Sequence, residues 1–179
     1  MAFLGRELDS DCLKASASIA SQVLANGGWC IHPGGKPDIS ASVKAYFALK
    51  LTGTSPDEPF MQASKKVILG LGGAHSCNSF TRFYLALLGQ LTYDSCPSVP
   101  PEIMLLPRWF PVHLGEMSSW TRTIVVPLAI VSACKPLRSL PEEKGIVELF
   151  LENPQTARWP AKPTKGLVSW TNFFLGVDA

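Results

Sequence analysis

Apolar residues recur every three to four positions in several stretches of this 179-residue chain, which is the pattern of amphipathic helices. No stretch gives convincing alternation of apolar and polar residues, the pattern that would indicate a half-buried strand. The sequence therefore predicts an all-α fold. Five main helices are predicted, at about 11–27, 40–53, 59–72, 79–89 and 118–133, with shorter helical segments at 142–150 and 167–179.

Capping residues and breakers support these limits. Asp11 fits the N-cap of the first helix, and either Ser76 or Asn78 fits that of the fourth. Pro59 suits the first turn of the third helix, and Pro127 predicts a kink inside the fifth. Glycines are expected to end four of the helices, at Gly27–Gly28, Gly53, Gly72–Gly73 and Gly89.

A short phrase of aromatic residue, threonine and basic residue recurs along the chain. It reads FTR at 80–82 and WTR at 120–122, which is 40 residues later, and more loosely WTN at 170–172. The stretch VKAYFAL at 43–49 also matches TRFYLAL at 81–87, at a spacing of 38. Such a period favours stacked helical hairpins over coincidence among Leu- and Ala-rich helices. The repeat places three aromatic residues at equivalent positions, namely Phe80, Trp120 and Trp170.

Composition narrows the class of protein further. Apolar residues make up 46% of the chain and charged residues only 17%, against about 25% charged in a typical soluble domain. The net charge is +2 and the basic residues are scattered, so we expect no nucleic-acid partner. The opening MAFLGRELDSD turns acidic too soon for a signal peptide, so we expect no secretion. The longest apolar run, Ile124–Cys134, is too short to span a bilayer.

Other candidate chemistry is weak. Cys30 with His32 and His75 with Cys77 form a mirror-image pair, but a single intervening residue crowds zinc ligands, so ordinary loop residues and no metal are expected. His113 near Glu116 is interpreted as a solvated loop histidine. Two further pairs have structural interpretations: Arg82 and Arg122 as partners of carboxylates or helix ends, and Cys12 and Cys134 as reduced core thiols.

Four longer stretches carry a family resemblance. They are GGWCIHPGGKPDISASVKAYFALKLTG, FTRFYLALLGQ, PPEIMLLPRWFP and SSWTRTIVVPL. In this order they resemble the N-terminal part of the squalene–hopene cyclases, which are class II triterpene cyclases. The resemblance runs from about residue 20 to 179 and is weakest before it. We therefore predict a poorly matching segment at 1–19 and a partial, incomplete α/α toroid at 20–179.

The resemblance implies an enzyme of two α/α toroids of helical hairpins, monotopic on the cytoplasmic side of a membrane and able to form a homodimer. Its substrate would be squalene or a related polyprene, with no cofactor. An aspartic acid in an Asp-x-Asp-Asp motif would protonate the terminal alkene. Aromatic faces would then stabilise the carbocations without capturing them, as a carboxylate would.

Residue by residue, the resemblance assigns five positions in this sequence. Ser119 and Trp120 of SSW, with Phe80 of FTR, are expected to line the substrate cavity. Met117 and Val125 are expected at the constriction of the substrate channel, although the family usually has a larger aromatic residue where Met117 stands. The alternative for each is ordinary helix packing.

The chain also departs from the family pattern. Its six aspartates form no Asp-x-Asp-Asp; they are Asp9, Asp11, Asp38, Asp57, Asp94 and Asp178. The general acid is therefore missing, which predicts a fragment that is inactive alone. The family's Gln-x-x-x-Gly-x-Trp signature is imperfect, because Val23 occupies the glutamine position and Gln22 lies one residue early, although Gly27 and Trp29 fit. We expect this copy to be weakened.

Two other interpretations stay open at this point. A non-catalytic helical-repeat module that binds lipid or a protein partner would explain the same apolar helices. An oxidosqualene cyclase is a third hypothesis within the family, although GGWCIHPGG and ASVKAYFALK resemble the hopene type more closely.

Overall fold

A computed structural model describes residues 1–97, 99–110 and 113–156, and every regular element in that part is helical. Five α-helices are present there, listed in chain order as α1 (Ser10–Ser21), α2 (Ile39–Leu51), α3 (Pro59–Gly70), α4 (Ser79–Leu87) and α5 (Ser119–Cys134). Short 3-10 helices join them, at Ala2–Leu4, Ala74–Ser76, Tyr93–Ser95, Pro101–Leu105, Glu142–Lys144 and Val147–Leu149. The prediction of an all-α chain is thus confirmed, while the predicted helix at 167–179 lies outside the described residues.

Two predicted boundaries are wrong. α1 has Asp9 rather than Asp11 at its N-cap and ends at Ser21, well before Gly27. The chain turns between these points, since the amide of Gly27 donates to the carbonyl of Leu24 at 2.8 Å. The predicted helix at 142–150 is instead two separate 3-10 turns, because the extended backbone of Gly145 divides it.

Three helices begin with the same side-chain cap, spaced 40 residues apart along the chain. The acceptors are Asp38 Oδ1, Asn78 Oδ1 and Ser118 Oγ, at 2.8, 3.0 and 3.1 Å from the backbone nitrogens of Ala41, Thr81 and Thr121. Each satisfies one amide of the first helical turn that has no partner inside the helix. The helix starts therefore align α2 with α4 at a spacing of 40 rather than 38. Ser76, the alternative cap for α4, instead donates to the carbonyl of Gly72.

The described residues form two compact units. The first comprises Met1–Thr92 and the return of the chain from Leu137, and the second comprises Tyr93–Pro136. In the first unit α2 is the central helix, packed against α1 and α3. Its core contains fully buried side chains of α2, of α3 and of the returning chain, namely Val43, Tyr46, Leu49, Met61, Ile68, Ile146 and Leu149.

We call residues 137–150 the return segment, and polar contacts fix it on the first unit. Lys50 Nζ lies 2.6 Å from Glu148 Oε1 and also donates to the carbonyl of Gly145. The hydroxyl of Tyr46 donates to the same Glu148 oxygen at 3.2 Å. Three further contacts tie the segment to the rest of the unit, namely Ile146 N to Gln90 Oε1 at 2.8 Å, Lys144 Nζ to Glu7 Oε1 at 3.1 Å and Arg138 Nη2 to Glu7 Oε2 at 4.0 Å.

A tight corner at Gly27–Trp29 joins the first three helices. The indole of Trp29 donates to the carbonyl of Ile19 in α1 at 2.8 Å, and its amide donates to Ser42 Oγ in α2 at 2.9 Å. The amide of Gly28 donates to Ser64 Oγ in α3 at 3.2 Å. Gly27 has φ +86° and approaches α3 so closely that a Cβ there would lie 2.7 Å from the backbone of Ala63, so only glycine fits.

Only the glycine and the tryptophan of the Gln-x-x-x-Gly-x-Trp signature take part in this corner. Gln22 donates to Ser18 Oγ within α1 itself, at 3.3 Å, rather than to another helix end. Trp29 nevertheless ties the end of α1 to α2, so the corner is held by the tryptophan and the glycines.

The second unit is built on α5, which contacts the 3-10 helix Pro101–Leu105. Pro127 lies inside α5 and removes one intrahelical donor, yet the helix continues to Cys134. Ala129 is its fully buried residue, and the hydroxyl of Tyr93 donates to the carbonyl of Pro136 at 2.6 Å. Across the residues the structure describes, every helix is too short or too polar to cross a bilayer.

Candidate functional site

Trp120 lies at the second residue of α5, and 73% of it is exposed. Its position is set by the cap at Ser118, whose Oγ also shares a hydrogen bond of 2.8 Å with the hydroxyl of Thr121. The hydroxyl of Thr123 donates to the Trp120 carbonyl at 2.7 Å. The first turn of α5 is thus fixed by its polar residues, while the indole ring points away from the core of its unit.

Phe80 lies at the second residue of α4, the same helix position as Trp120, 40 residues earlier. Asn78 caps that helix as Ser118 caps α5, so the local geometry at the two aromatic residues is alike. Phe80 is 46% exposed. The repeat therefore places an exposed aromatic residue in the first turn of both helices. The third residue of the predicted set, Trp170, lies outside the described residues.

The other assigned residues lie beside Trp120 in the chain. Ser119 is the first residue of α5 and is exposed, whereas Met117 precedes the helix and is half-buried. Val125 is also half-buried, and at 3.6 residues per turn it lies about 140° around the helix from Trp120. The structure therefore brings Ser119 and Trp120 together in one turn and places Val125 on a different face.

The two helices that carry these aromatic residues contain no carboxylate. α4 reads SFTRFYLAL and α5 reads SWTRTIVVPLAIVSAC, and each has a single charged residue, Arg82 or Arg122. A carboxylate beside a carbocation would capture it or remove a proton from it, whereas an aromatic face attracts positive charge without forming a bond. On their own helices, Phe80 and Trp120 therefore have no neighbouring carboxylate that would capture a carbocation or remove a proton from it.

The repeated arginines differ from each other. Arg82 is buried, and its guanidinium donates to the carbonyls of His75 and Cys77 in the turn before α4. Arg122 is exposed on α5. The sequence predicts that Arg82 pairs with a carboxylate or a helix C-terminus, and two of its hydrogen bonds run to the backbone of the preceding turn.

Two interpretations of single residues are wrong. His113 is buried rather than solvated, and it begins a turn in which the amide of Glu116 donates to its carbonyl at 3.1 Å. Within the described residues its Nδ1 has no hydrogen-bond partner. Cys134 is exposed rather than buried, since it is the last residue of α5.

In the second Cys–His pair, Cys77 and His75 have different surroundings. Cys77 is buried, and burial raises the pKa of its thiol to about 11, which keeps it protonated at neutral pH. His75 packs against the ring of Phe150, with 5.6 Å between ring centroids. The described residues contain no group of three or more His, Cys, Asp or Glu side chains placed to hold a metal ion.

Comparison with known families accounts for this arrangement of helices. The model of the squalene-hopene cyclase N-terminal domain matches residues 1–179, which is the whole chain. The class is thus that of the terpene-cyclising enzymes, and the chain belongs to the squalene–hopene cyclase family. This agrees with the predicted incomplete α/α toroid.

Individual relatives agree with the family model. The chain is 45% identical to the squalene–hopene cyclase of Bradyrhizobium diazoefficiens over 155 residues, which is 87% of this chain and 24% of the relative. It is 40% identical to that of Alicyclobacillus acidocaldarius over 143 residues, covering 80% and 23% of the two chains. A dammaradiene synthase from Dryopteris crassirhizoma is 35% identical over 154 residues, covering 86% and 22%. The chain therefore spans about a quarter of the length of these relatives.

Proposed function

We propose that this chain forms part of the wall of an apolar cavity in which a squalene-type polyprene is cyclised through carbocations. The observation that carries the proposal is the pair of exposed aromatic residues in the first turns of two helices that contain no carboxylate. Family membership and the names of the relatives support squalene as the substrate class. The role proposed for Phe80 and Trp120 is to stabilise positive charge.

Ser119, Met117 and Val125 have different proposed roles. Ser119 adjoins Trp120 and lines the same part of the cavity. Met117 and Val125, both half-buried, contribute to the constriction of the channel through which the polyprene enters. Val125 faces a different side of α5 from Trp120, which supports a separate role for the two residues.

The chain is proposed to need an acid from elsewhere to begin the reaction. Protonation of an alkene requires a strong general acid, and none of the six aspartates forms an Asp-x-Asp-Asp motif. Incubation of the purified chain with squalene should therefore yield no hopene. Detection of hopene above the level of a heat-denatured control would overturn this part of the proposal.

Cation stabilisation can be tested by binding alone. Farnesyltrimethylammonium carries a permanent charge, and its isostere with carbon in place of nitrogen is neutral, so their ratio of dissociation constants measures the preference for charge. We expect the chain to prefer the cation by about 30-fold, which corresponds to the free energy of about 2 kcal/mol for desolvated cation–π contacts. Trp120→Leu should lose most of this preference, and Trp120→Phe should keep part of it.

A matched control is available in the same unit. Trp109 is 82% exposed but is assigned no role at the cavity, so Trp109→Leu should leave the preference unchanged. The chain could instead bind both probes equally, or Trp109→Leu and Trp120→Leu could have the same effect. Either result would mean that the aromatic residues contribute packing or apolar binding and no preference for positive charge. That result would favour the non-catalytic binding module.

We also propose that the full-length enzyme attaches monotopically to the cytoplasmic side of a membrane and forms a homodimer, as the resemblance implies. The low share of charged residues, 17%, supports contact with an apolar phase. Flotation of the full-length protein with phosphatidylcholine vesicles tests the attachment, and its recovery with unbound protein in the dense fraction would argue against it.

A further inference from the structure

Helix α4 departs at three positions from the usual distribution of charged and apolar residues on a helix at a protein surface, namely Phe80, Arg82 and Tyr84. Its one charged residue, Arg82, is buried together with Thr81, Phe83, Leu85 and Ala86. Its two exposed residues are both aromatic, Phe80 at 46% and Tyr84 at 58%. A helix face that meets water normally carries charged or polar residues. The outer face of α4 is therefore built to meet something apolar.

Tyr84 lies one helical turn after Phe80. Residues four apart lie on the same face of a helix, with about 5–6 Å between their Cβ atoms, so the two rings share one face. The adjoining positions toward the end of the helix, Leu87 and Leu88, are half-buried and aliphatic. The outer face of α4 thus presents two aromatic surfaces in succession along the helix axis.

Among the residues that the structure describes, the phenol group of Tyr84 has no partner that would explain its place. Across the described residues its hydroxyl makes no hydrogen bond and its ring makes no aromatic contact. By contrast Tyr46 and Tyr93 each donate a hydrogen bond, to Glu148 and to the carbonyl of Pro136. Tyr84 therefore differs from the two tyrosines that hold the fold together.

We propose that Tyr84 is a second cation-stabilising residue, one turn along α4 from Phe80, on the surface that faces the polyprene. This inference rests on the proposed function. In polyene cyclisation the π electron pair of the next alkene attacks the cation, a C–C bond forms, and the charge moves to the far carbon of that alkene. A charge that moves in this way needs more than one aromatic face, and Phe80 and Tyr84 provide two in sequence.

The charge preference of the chain, measured with farnesyltrimethylammonium and its neutral isostere, tests this role. Tyr84→Leu should reduce the preference for the cation about fivefold, because the attraction comes from the ring quadrupole. Tyr84→Phe should keep the preference within about twofold, because it keeps the ring and loses only the hydroxyl. The neutral isostere should bind the Leu and Phe variants equally well, which separates loss of charge stabilisation from loss of packing.

The controls distinguish failure of this inference from failure of the proposed function. If the unaltered chain shows no preference for the cation, the proposed function fails. If it does show the preference and Trp120→Leu reduces it, but Tyr84→Leu does not, only the inference about Tyr84 is overturned. Circular dichroism at 222 nm on each variant confirms folding; should Tyr84→Leu unfold, Tyr84→Gln replaces it as the variant without a ring, with the same expected loss.

Discussion

Trp29 serves three helices through one side chain and its neighbouring backbone. Its indole donates a hydrogen bond to the end of α1, and its amide donates one to α2. The amide of the adjacent Gly28 donates one to α3. The ring itself is buried in the core of the first unit. Only the bond to α1 and the packing in the core depend on the indole, so a substitution of Trp29 should weaken these and leave the two backbone hydrogen bonds in place.

Trp29→Phe should lower the free energy of unfolding by about 2 kcal/mol. The smaller ring leaves a void in the core, and the carbonyl of Ile19 loses one of its two donors and keeps the amide of Gln22. Urea denaturation followed by circular dichroism measures the change. Trp109→Phe, at an exposed position, should change stability by less than about 0.5 kcal/mol; equal effects at the two sites would contradict the role given to Trp29.

His75 should make the stability of the chain depend on pH. Burial lowers the pKa of its imidazole, the positive charge of Arg82 lowers it further, and Glu152 opposes them. The unfolded chain, where the pKa is near 6.5, then takes up a proton that the folded chain resists. The contribution of His75 is therefore complete above pH 6.5 and is lost as the pH falls below it, with a slope of at most about 1.4 kcal/mol per pH unit.

Urea denaturation at pH 7.5, 6.5 and 5.5 checks this expectation. His75→Gln should flatten the dependence between pH 6.5 and 5.5. The exposed His32 gives the control, and His32→Gln should leave the dependence as it is in the unaltered chain. A flat profile in the unaltered chain would show that His75 is protonated equally in both states.

Among single residues, the sequence predicted chemical type better than exposure. Arg82 and Arg122 both follow an aromatic residue and a threonine, yet Arg82 is buried and Arg122 is exposed. His113 is buried in a loop, which no periodic pattern reveals. Burial at such positions depends on what packs over them in space, and that information is not local.

At the scale of elements, the caps at Asp38, Asn78 and Ser118 define the 40-residue repeat more clearly than the apolar residues do. Aligned by their caps, Val43 and Phe83 are both buried and Lys44 and Tyr84 are both exposed. The spacing of 38 found by matching letters disagrees with this alignment. Similar residue types in two helices do not define register, whereas a capping hydrogen bond does.

Asn78→Ala should destabilise the first unit by about 1 kcal/mol, because the amide of Thr81 in the first turn of α4 loses its acceptor. Asn78→Asp should restore most of that stability, since a carboxylate can accept the same bond and suits a helix N-terminus. Thermal denaturation compares the two variants. Ser76→Ala, at the rejected cap position, should have the smaller effect.

Helix boundaries show where sequence patterns suffice. α2, α3 and α4 begin and end close to their predicted limits, because Asp38, Pro59 and Asn78 start them through local geometry. The end of α1 is set instead by the corner at Trp29, whose partners are distant in sequence. Elements defined by local chemistry could be predicted, and those defined by tertiary contacts could not.

For the whole molecule, the buried pair of Lys50 and Glu148 connects residues 98 positions apart. The two side chains are 8% and 24% exposed. Lys50→Met should destabilise the chain by about 3 kcal/mol, because the carbonyl of Gly145 would lose its donor and Glu148 would keep only the Tyr46 hydroxyl in a poorly solvated site. Adding Glu148→Leu to Lys50→Met should recover part of the loss.

A double-mutant cycle with urea denaturation measures the coupling between the two residues. We expect at least about 1 kcal/mol of coupling, as for residues in one hydrogen-bonded network. Strictly additive single effects would mean that the ion pair has no part in fixing the return segment, which would then be held by Ile146 and Leu149 and by its contacts with Glu7 and Gln90.

The family of the whole molecule could be predicted from the sequence more completely than its site could. Long ordered motifs such as GGWCIHPGG and PPEIMLLPRWFP point to one family, and the family model matches the entire chain. The exposure of Phe80, Trp120 and Tyr84 required coordinates. Tyr84 could have been found from its spacing of four from Phe80, but the same spacing is common in helix cores.

The return segment has a consequence for synthesis on the ribosome. Helices α1–α4 emerge first, but Ile146 and Leu149, which complete their core, follow only after the 44 residues of 93–136. At about 5–20 residues per second, that interval lasts several seconds. During it, the nascent helices expose the apolar surface that the return segment later covers, so the first unit is a natural client for a chaperone acting during translation.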